Sequence, residues 1–425
     1  MAERCTTPDP GSTPGQGSCA AMAPDADADD KRRWNEDLDV LARAMPAVHA
    51  NLFHTLGRRE FEGAIDDIRR RLPTLARHQV IVELMRLASA VGDGHTCVAP
   101  WRDPVGFHTL PVSMYRFADG YFIRATTRDE ARLLGCRVTH VGGVSIDSVE
   151  KLVAPLIGRD NDMGILMHAP FLMVMPEVLH ALGLSGDPRR AELTVEAAGR
   201  SRTATLGKLG PFPALSGRAD RFWGTSDGWV DLRDGAAGPL WLSHLTEAYW
   251  FCFVPEGELL YCQLNEIHEH GERFDAFFAR ALDAADSLGA RRFVLDLRHN
   301  GGGDGDKNRA IVRALVRSRF DKRGRLFVIT GRRTFSAAQM LVCDLERWTS
   351  PLFVGEPSAS RANHYGDSEQ LVLPNQRITV RVSTLWWQWD PRDTRPWITV
   401  DLAAPLTANA YRTGRDPALE AIAAF

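Results

Sequence analysis

Ser336, in the stretch TGRRTFSAAQML (330–341), is a hydroxyl residue that follows a glycine-and-arginine turn and opens a run of good helix formers. Two roles fit such a residue: a helix N-cap, or a nucleophile presented where a helix begins. A nucleophilic serine needs a base to take its proton, and it needs fixed donors for the negative charge that develops on the attacked carbonyl. Candidate donors lie in HNGGGDG (299–305), where Gly301, Gly302 and Gly303 follow an apolar run and precede a helical one, so their amides can point outward. The same glycines also read as a tight turn that needs positive φ. They do not form a nucleotide loop. Lys307 follows Asp306 rather than a glycine, and the GxGxxG spacing fails in every register.

For the base, the sequence offers lysine or histidine. The lysines are Lys31, Lys151, Lys208, Lys307 and Lys322, and none follows Ser336. Among the 13 histidines, His95 in GDGHT stands out, because flanking glycines let it project from a turn into a cleft; an ordinary loop histidine is the other reading. His268, Glu269 and His270 form an HEH trio without further ligands at motif spacing, which reads as a solvated turn. No metal or other cofactor is expected. WWQW (386–389) reads as strand residues packed on a core, with an aromatic substrate cleft as the alternative.

These residues have to be positioned by elements that the apolar pattern reveals. Residues 1–30 are rich in Pro, Gly and Asp and read as a disordered tail. From Trp34 onward, Leu38, Leu41, Met45 and Val48 recur at steps of four and three, and two similar runs follow, predicting a helical bundle over 31–100 that ends in GDGHT. Residues 101–210 mix strand-like pieces with one helical piece, in an order like that of a PDZ module; 211–240 read as a linker or long loop. Residues 241–425 alternate apolar strands and helices, which implies a parallel sheet with crossover helices. Such sheets carry their sites at the carboxyl ends of the strands, where HNGGGDG and GRRTFS would meet.

Composition narrows the function further. A net charge of −3 and dispersed arginines give no footprint for nucleic acid. No segment is apolar enough for a membrane span. Seven scattered cysteines and no signal-like apolar run at the given start predict a reduced, cytoplasmic location, or export if a leader precedes that start.

Five blocks in order, GDGHT, FVLDLRHNGGGDG, GRRTFSAAQM, GEPSASRANHYG and ITVDL, resemble those of the tail-specific (C-terminal processing) serine proteases together with the tricorn core proteases. The resemblance implies an α/β fold with a ClpP/crotonase-like protease core, Ser336 as nucleophile, and the amides of Ala337 and of Gly302 or Gly303 as oxyanion hole. His95 matches the base of the tricorn branch. The processing branch uses a lysine where this chain has Arg361, and a guanidinium cannot act as a base. An acid shortly before Val400-Asp401-Leu402 is implied to orient His95, with Asp393 the choice by spacing and Asp390 the alternative. Gln339 stands where many relatives carry glutamate. The implied activity is a serine endopeptidase acting on unstructured peptides or protein C-termini. The alternatives are an esterase or other acyl hydrolase on the same fold, or a non-catalytic binding protein.

Overall fold

The computed structural model describes residues 26–211, 222–224, 227–236 and 238–425. Three helices lead the chain, Ala26–Val48, Arg58–Arg71 and Arg77–Ser89. The first begins earlier than the expected boundary at 31, while the rest of the expected tail lies outside the described residues. Trp34, Leu38, Leu41 and Met45 are buried on one face, as their spacing requires.

The turn after the third helix leads into β1 (Cys97–Val98), and a mainly antiparallel region follows: β2 (Val112–Phe117), β3 (Gly120–Thr127), β4 (Arg137–Val141), β5 (Val144–Ser145), β6 (Arg190–Ala197), β7 (Arg200–Gly207) and β8 (Trp229–Asp231). Its order is β2-β3-β4-β6-β7, with β5 on β4 and β8 on β3. One apolar core runs continuously through the helices and this sheet and takes in Val380 and Val382 from far along the chain. The helical bundle and the middle region therefore share a core. The expected linker at 211–240 is also more than a loop: its described part supplies β8 and the buried Phe222 and Trp223. The remainder of that segment lies outside the described residues.

The C-terminal sheet contains β9 (Tyr249–Val254), β10 (Leu259–Leu264), β11 (Arg292–Asp296), β12 (Leu326–Thr330), β13 (Leu352–Gly355) and β16 (Leu402–Ala403), in the order β16-β13-β12-β11-β10-β9. All pairs are parallel except β9 with β10. Side chains alternate across it, as a period of two demands. Leu260, Phe293, Leu295 and Val328 join the core against helices Phe274–Ser287, Asn308–Val316 and Ala337–Trp348, whereas Tyr261, Val294, Phe327 and Ile329 pack with Ala418 and Ile422 of helix Pro417–Ala424. Covering both faces explains why β11 and β12 read as unbroken apolar runs. Each such side chain stabilises the fold by about 1.5–3 kcal/mol.

A third, small sheet has the order β1-β15-β14, with β14 (His364–Val372) and β15 (Thr379–Trp387) forming a hairpin. β1 pairs antiparallel with β15, Cys97 opposite Arg381 and Val98 opposite Val380. This ladder carries the GDGHT turn to the C-terminal core. Trp386 and Trp387, expected on the core, stand 45% and 37% exposed at the hairpin end instead. Among the described residues no helix is long and apolar enough to cross a membrane.

Several histidines are enclosed and held neutral. Burial pushes His78, which contacts His180 at 2.9 Å, down to about 4, and pushes His299, enclosed by Trp223 and Trp241, well below its ordinary value. The unfolded chain takes up these protons near pH 6.5, before the folded one can. Stability from this source is therefore intact above about pH 6.5 and falls as pH drops toward about 4. Thermal unfolding followed by circular dichroism should show the melting temperature falling between about pH 7 and pH 5; a flat or rising profile would contradict this account.

Candidate active site

Ser336 sits between β12 and helix Ala337–Trp348 with φ 54° and ψ −126°. A non-glycine residue in this region is strained, and a sharp strand-to-helix turn of this kind lifts a side chain clear of the backbone. The hydroxyl does not cap the helix. It lies 3.1 Å from His95 Nε2, a residue 241 positions away in sequence.

Two loops are stitched together to build this corner. The Phe335 amide donates to the Asn300 carbonyl (3.1 Å), and Thr334 Oγ1 donates to the Leu297 carbonyl (2.8 Å). Asn300 in turn donates to the Leu264 carbonyl (3.0 Å) and accepts the Gly302 amide (3.0 Å). Below them, the buried Asp296 accepts from Tyr261 (2.5 Å) and pairs with Arg298, which also clamps Asp416. The loop after β11 is thus held at both ends.

The glycines follow from close approach. Gly302 has φ 111°, and a Cβ there would lie 2.8 Å from Ser336 Cβ; Gly303 has φ 141°, and a Cβ there would lie 2.3 Å from the Ile267 carbonyl oxygen. The Gly302 amide is given to Asn300, so of the expected oxyanion donors the amides of Gly303 and Ala337 remain. Neither has an acceptor among the described residues. Ala337 is the first residue of its helix, where an amide has no intrahelical partner.

His95 is buried at 7% exposure, its ring stacked on Phe335 (centroids 4.5 Å apart) and parallel to His364 at 6.0 Å. Burial, with the neighbouring His364 and Arg381, pushes its pKa down to about 3, against the opposing pull of Asp93 and the Tyr365 backbone. The ring is neutral at neutral pH and has a lone pair to offer. The turn that carries it is organised by Asp93, whose carboxylate accepts the amides of His95 (2.9 Å) and Thr96 (2.7 Å), Ser383 Oγ (2.7 Å) and His49 Nε2 (3.0 Å). Burial would raise the pKa of Asp93, but the bonds from His49, Ser383 and Thr96 outweigh it and hold it at about 2. Asp160 fixes the preceding residue by accepting the Gly94 amide (2.7 Å) and Ser360 Oγ (2.5 Å).

At the orienting acid the structure departs from expectation. The Asp393 carboxylate is taken by Arg395 (2.7 Å), which also binds Glu346, and the Asp390 carboxylate is taken by Arg392 (3.0 Å). In both cases an arginine two residues along captures the acid. Among the described residues no carboxylate reaches the buried His95 Nδ1, and the only hydrogen-bonding support on that side of the ring is the Tyr365 backbone. Both residues contribute through their backbone carbonyls, which accept from Asn363 Nδ2 (2.6 and 2.9 Å) beside His364. Arg361, at the place of the processing-branch lysine, donates to the Asp160 carbonyl.

Elsewhere, Glu269 of the HEH trio accepts the Phe274 amide and pairs with Lys307. A closer metal-like group, His49, His54 and Asp93, lies in the helical region. His49 Nδ1 accepts the Asn51 amide, so its Nε2 carries the hydrogen given to Asp93 and has no lone pair to offer an ion.

Ser336, His95 and Gly303 line one cleft of about 510 Å³, together with Gly94, Gly301, Phe335, Asp367, Ser368 and Arg381. Asp93, Asn300, Asp160 and Arg381 escaped the sequence reading. The first two lie inside GDGHT and HNGGGDG, where a polar residue beside glycines was the available signal.

No protein-family model and no curated protein matches the chain. Among solved structures it is similar to mature CPAF, with a TM-score of 0.62 at 13% identity over 92% of this chain and 96% of that one. It is likewise similar to mature CPAF complexed with lactacystin, with a TM-score of 0.61 at 13% identity over 90% and 96% of the two chains. The photosystem II D1 C-terminal processing protease aligns over 92% and 96% of the two chains at 13% identity, with a TM-score of 0.40. The α/β architecture is thus that of CPAF. At such identity the likeness defines the fold, and the chemistry has to be read from the side chains.

The strain at Ser336 is measurable. Ser336→Gly should unfold at higher urea than Ser336→Ala, by about 1 kcal/mol, because glycine accepts the positive φ that alanine cannot. Equal stabilities, or a less stable glycine variant, would show that the turn is not strained.

Proposed function

We propose that the protein is a serine hydrolase that cleaves peptide bonds in unstructured peptides or protein C-termini. The observation that carries this reading is the 3.1 Å contact between His95 Nε2 and Ser336 Oγ, made by a serine held at φ 54°. In the reaction, Ser336 Oγ attacks the scissile carbonyl carbon while its proton passes to His95 Nε2. The carbonyl electron pair moves onto oxygen, where the amides of Gly303 and Ala337 stabilise it; losing one such donor costs about 2.7–4 kcal/mol of barrier. The tetrahedral intermediate collapses, the C–N bond breaks, and His95 delivers its proton to the leaving amine. Water, deprotonated by the same ring, then releases the acyl group. Asp93 supports the imidazolium through its charge and fixes the turn; no carboxylate touches the ring.

The peptide reading gains support from the small sheet. With the order β1-β15-β14, strand β14 has an edge unpaired among the described residues beside the cleft, since Asp367 and Ser368 belong both to that strand and to the cleft wall. An extended chain can add to such an edge through main-chain hydrogen bonds, whereas a folded segment has already spent them. The fold likeness to mature CPAF agrees in kind.

Labelling by a fluorophosphonate, read by intact mass and peptide mapping, tests the assignment. Wild type should label at Ser336, while Ser336→Ala should not label and His95→Ala should label at least about 1000-fold more slowly. The acid limb of the labelling rate should lie well below the ordinary histidine value of about 6.5, because the ring stays neutral until it protonates near 3. Asp393→Asn and Asp390→Asn should label nearly as fast as wild type. Labelling at another residue, or an acid limb at the ordinary histidine value, would refute the assignment.

A further inference from the structure

Arg381 and Ser383 are two positions apart on β15, so their side chains leave the same face of the strand. Ser383 reaches back to Asp93, whereas Arg381 enters the cleft beside Ser336, His95 and Gly303. Its guanidinium donates to Ser368 Oγ from Nε (2.9 Å) and Nη2 (2.6 Å), and no carboxylate pairs with it among the described residues. Three enclosed arginines are matched by carboxylates, Arg332 with Glu356, Arg298 with Asp416 and Arg124 with Asp231. A half-buried cation without a counter-ion is costly, and Ser368 fixes its orientation while leaving donors on Nη1 and Nη2 free. Asp367, the acid on the same cleft wall, accepts Trp387 Nε1 at 2.7 Å instead.

We propose that Arg381 is the substrate-recognition residue of this cleft, selecting peptides that carry a carboxylate close to the scissile bond. The carboxylate is either an acidic side chain or the free C-terminus, since a guanidinium fork accepts both by paired hydrogen bonds. The inference rests on the hydrolase reading and adds the substrate class. It also couples binding to chemistry. Arg381 is among the positive neighbours that hold His95 down, so a substrate carboxylate that neutralises it makes His95 a stronger base at the moment of binding. The matched substrate should therefore raise kcat as well as lower KM.

The test uses internally quenched peptides in matched pairs: Asp against Asn and Glu against Gln at each position flanking the cut, and free acid against amide at the C-terminus. Fluorophosphonate labelling of the wild type runs alongside. Wild type should cut acid-bearing peptides with kcat/KM roughly tenfold or more above their neutral partners. That ratio should fall to about one in Arg381→Gln and invert toward Lys- or Arg-bearing peptides in Arg381→Glu, with circular dichroism confirming that both variants fold. The side-chain and terminal pairs identify which carboxylate is read. A labelled wild type that cuts acid and neutral partners equally overturns this inference alone, as does a preference that survives both substitutions. A wild type that neither labels nor cleaves overturns the hydrolase reading and this inference with it.

Discussion

The contact between His95 and Ser336 is the constraint on which the rest of the structure turns. It joins a turn from the helical region to a loop of the C-terminal sheet, and neither side can reach the other through local folding. Three devices hold it. β1 pairs with β15 directly after the turn; Asp93 gathers His49, Ser383 and two amides of the turn around one carboxylate; and Phe335 stacks on the His95 ring one residue before Ser336. Each ties a segment before residue 100 to one after residue 330. This explains why the helices, the middle sheet and part of the β14–β15 hairpin share one core. A separately folding bundle could not hold a hydrogen bond to tenths of an ångström.

The arrangement around the ring is chemically unusual in one respect. The buried Nδ1 of His95 lacks a hydrogen-bonded acid, and burial with two cationic or ionisable neighbours keeps the ring neutral. Such a base holds its lone pair over a wide pH range, but it accepts a proton reluctantly. Compensation has to come from groups that stabilise the imidazolium at a distance or from charge brought by the substrate. Asp93 is ionised and fixed for the first role, and the guanidinium of Arg381 marks where the second would act.

Much of the fold and part of the site were legible in the sequence, for physical reasons. β11 and β12 are covered on both faces and so appear as unbroken apolar runs, and the glycines after β11 are fixed by contacts that leave no space for a Cβ. The loop ends of two neighbouring parallel strands have to meet, which places Ser336 beside the glycine loop. Spacing misled at the acid because Arg392 and Arg395, each two residues on, neutralise Asp390 and Asp393 locally. Asp93 escaped because its bond with Ser383 spans 290 positions, and Arg381 because it enters the cleft of Ser336 and His95 from a separate sheet. The segment at 211–240 looked like a linker because its glycines and prolines conceal Phe222 and Trp223, which are defined as core only by their aromatic neighbours.

The central claim, that one serine, one neutral histidine and two outward amides form a single acyl-transfer site, is tested most directly by a crystal structure of the protein after reaction with a fluorophosphonate. The account predicts a bond from phosphorus to Ser336 Oγ, the phosphoryl oxygen within hydrogen-bonding distance of the Gly303 and Ala337 amides, and His95 Nε2 facing the same phosphorus centre. An adduct on another residue, or a phosphoryl oxygen turned away from those amides, would contradict it.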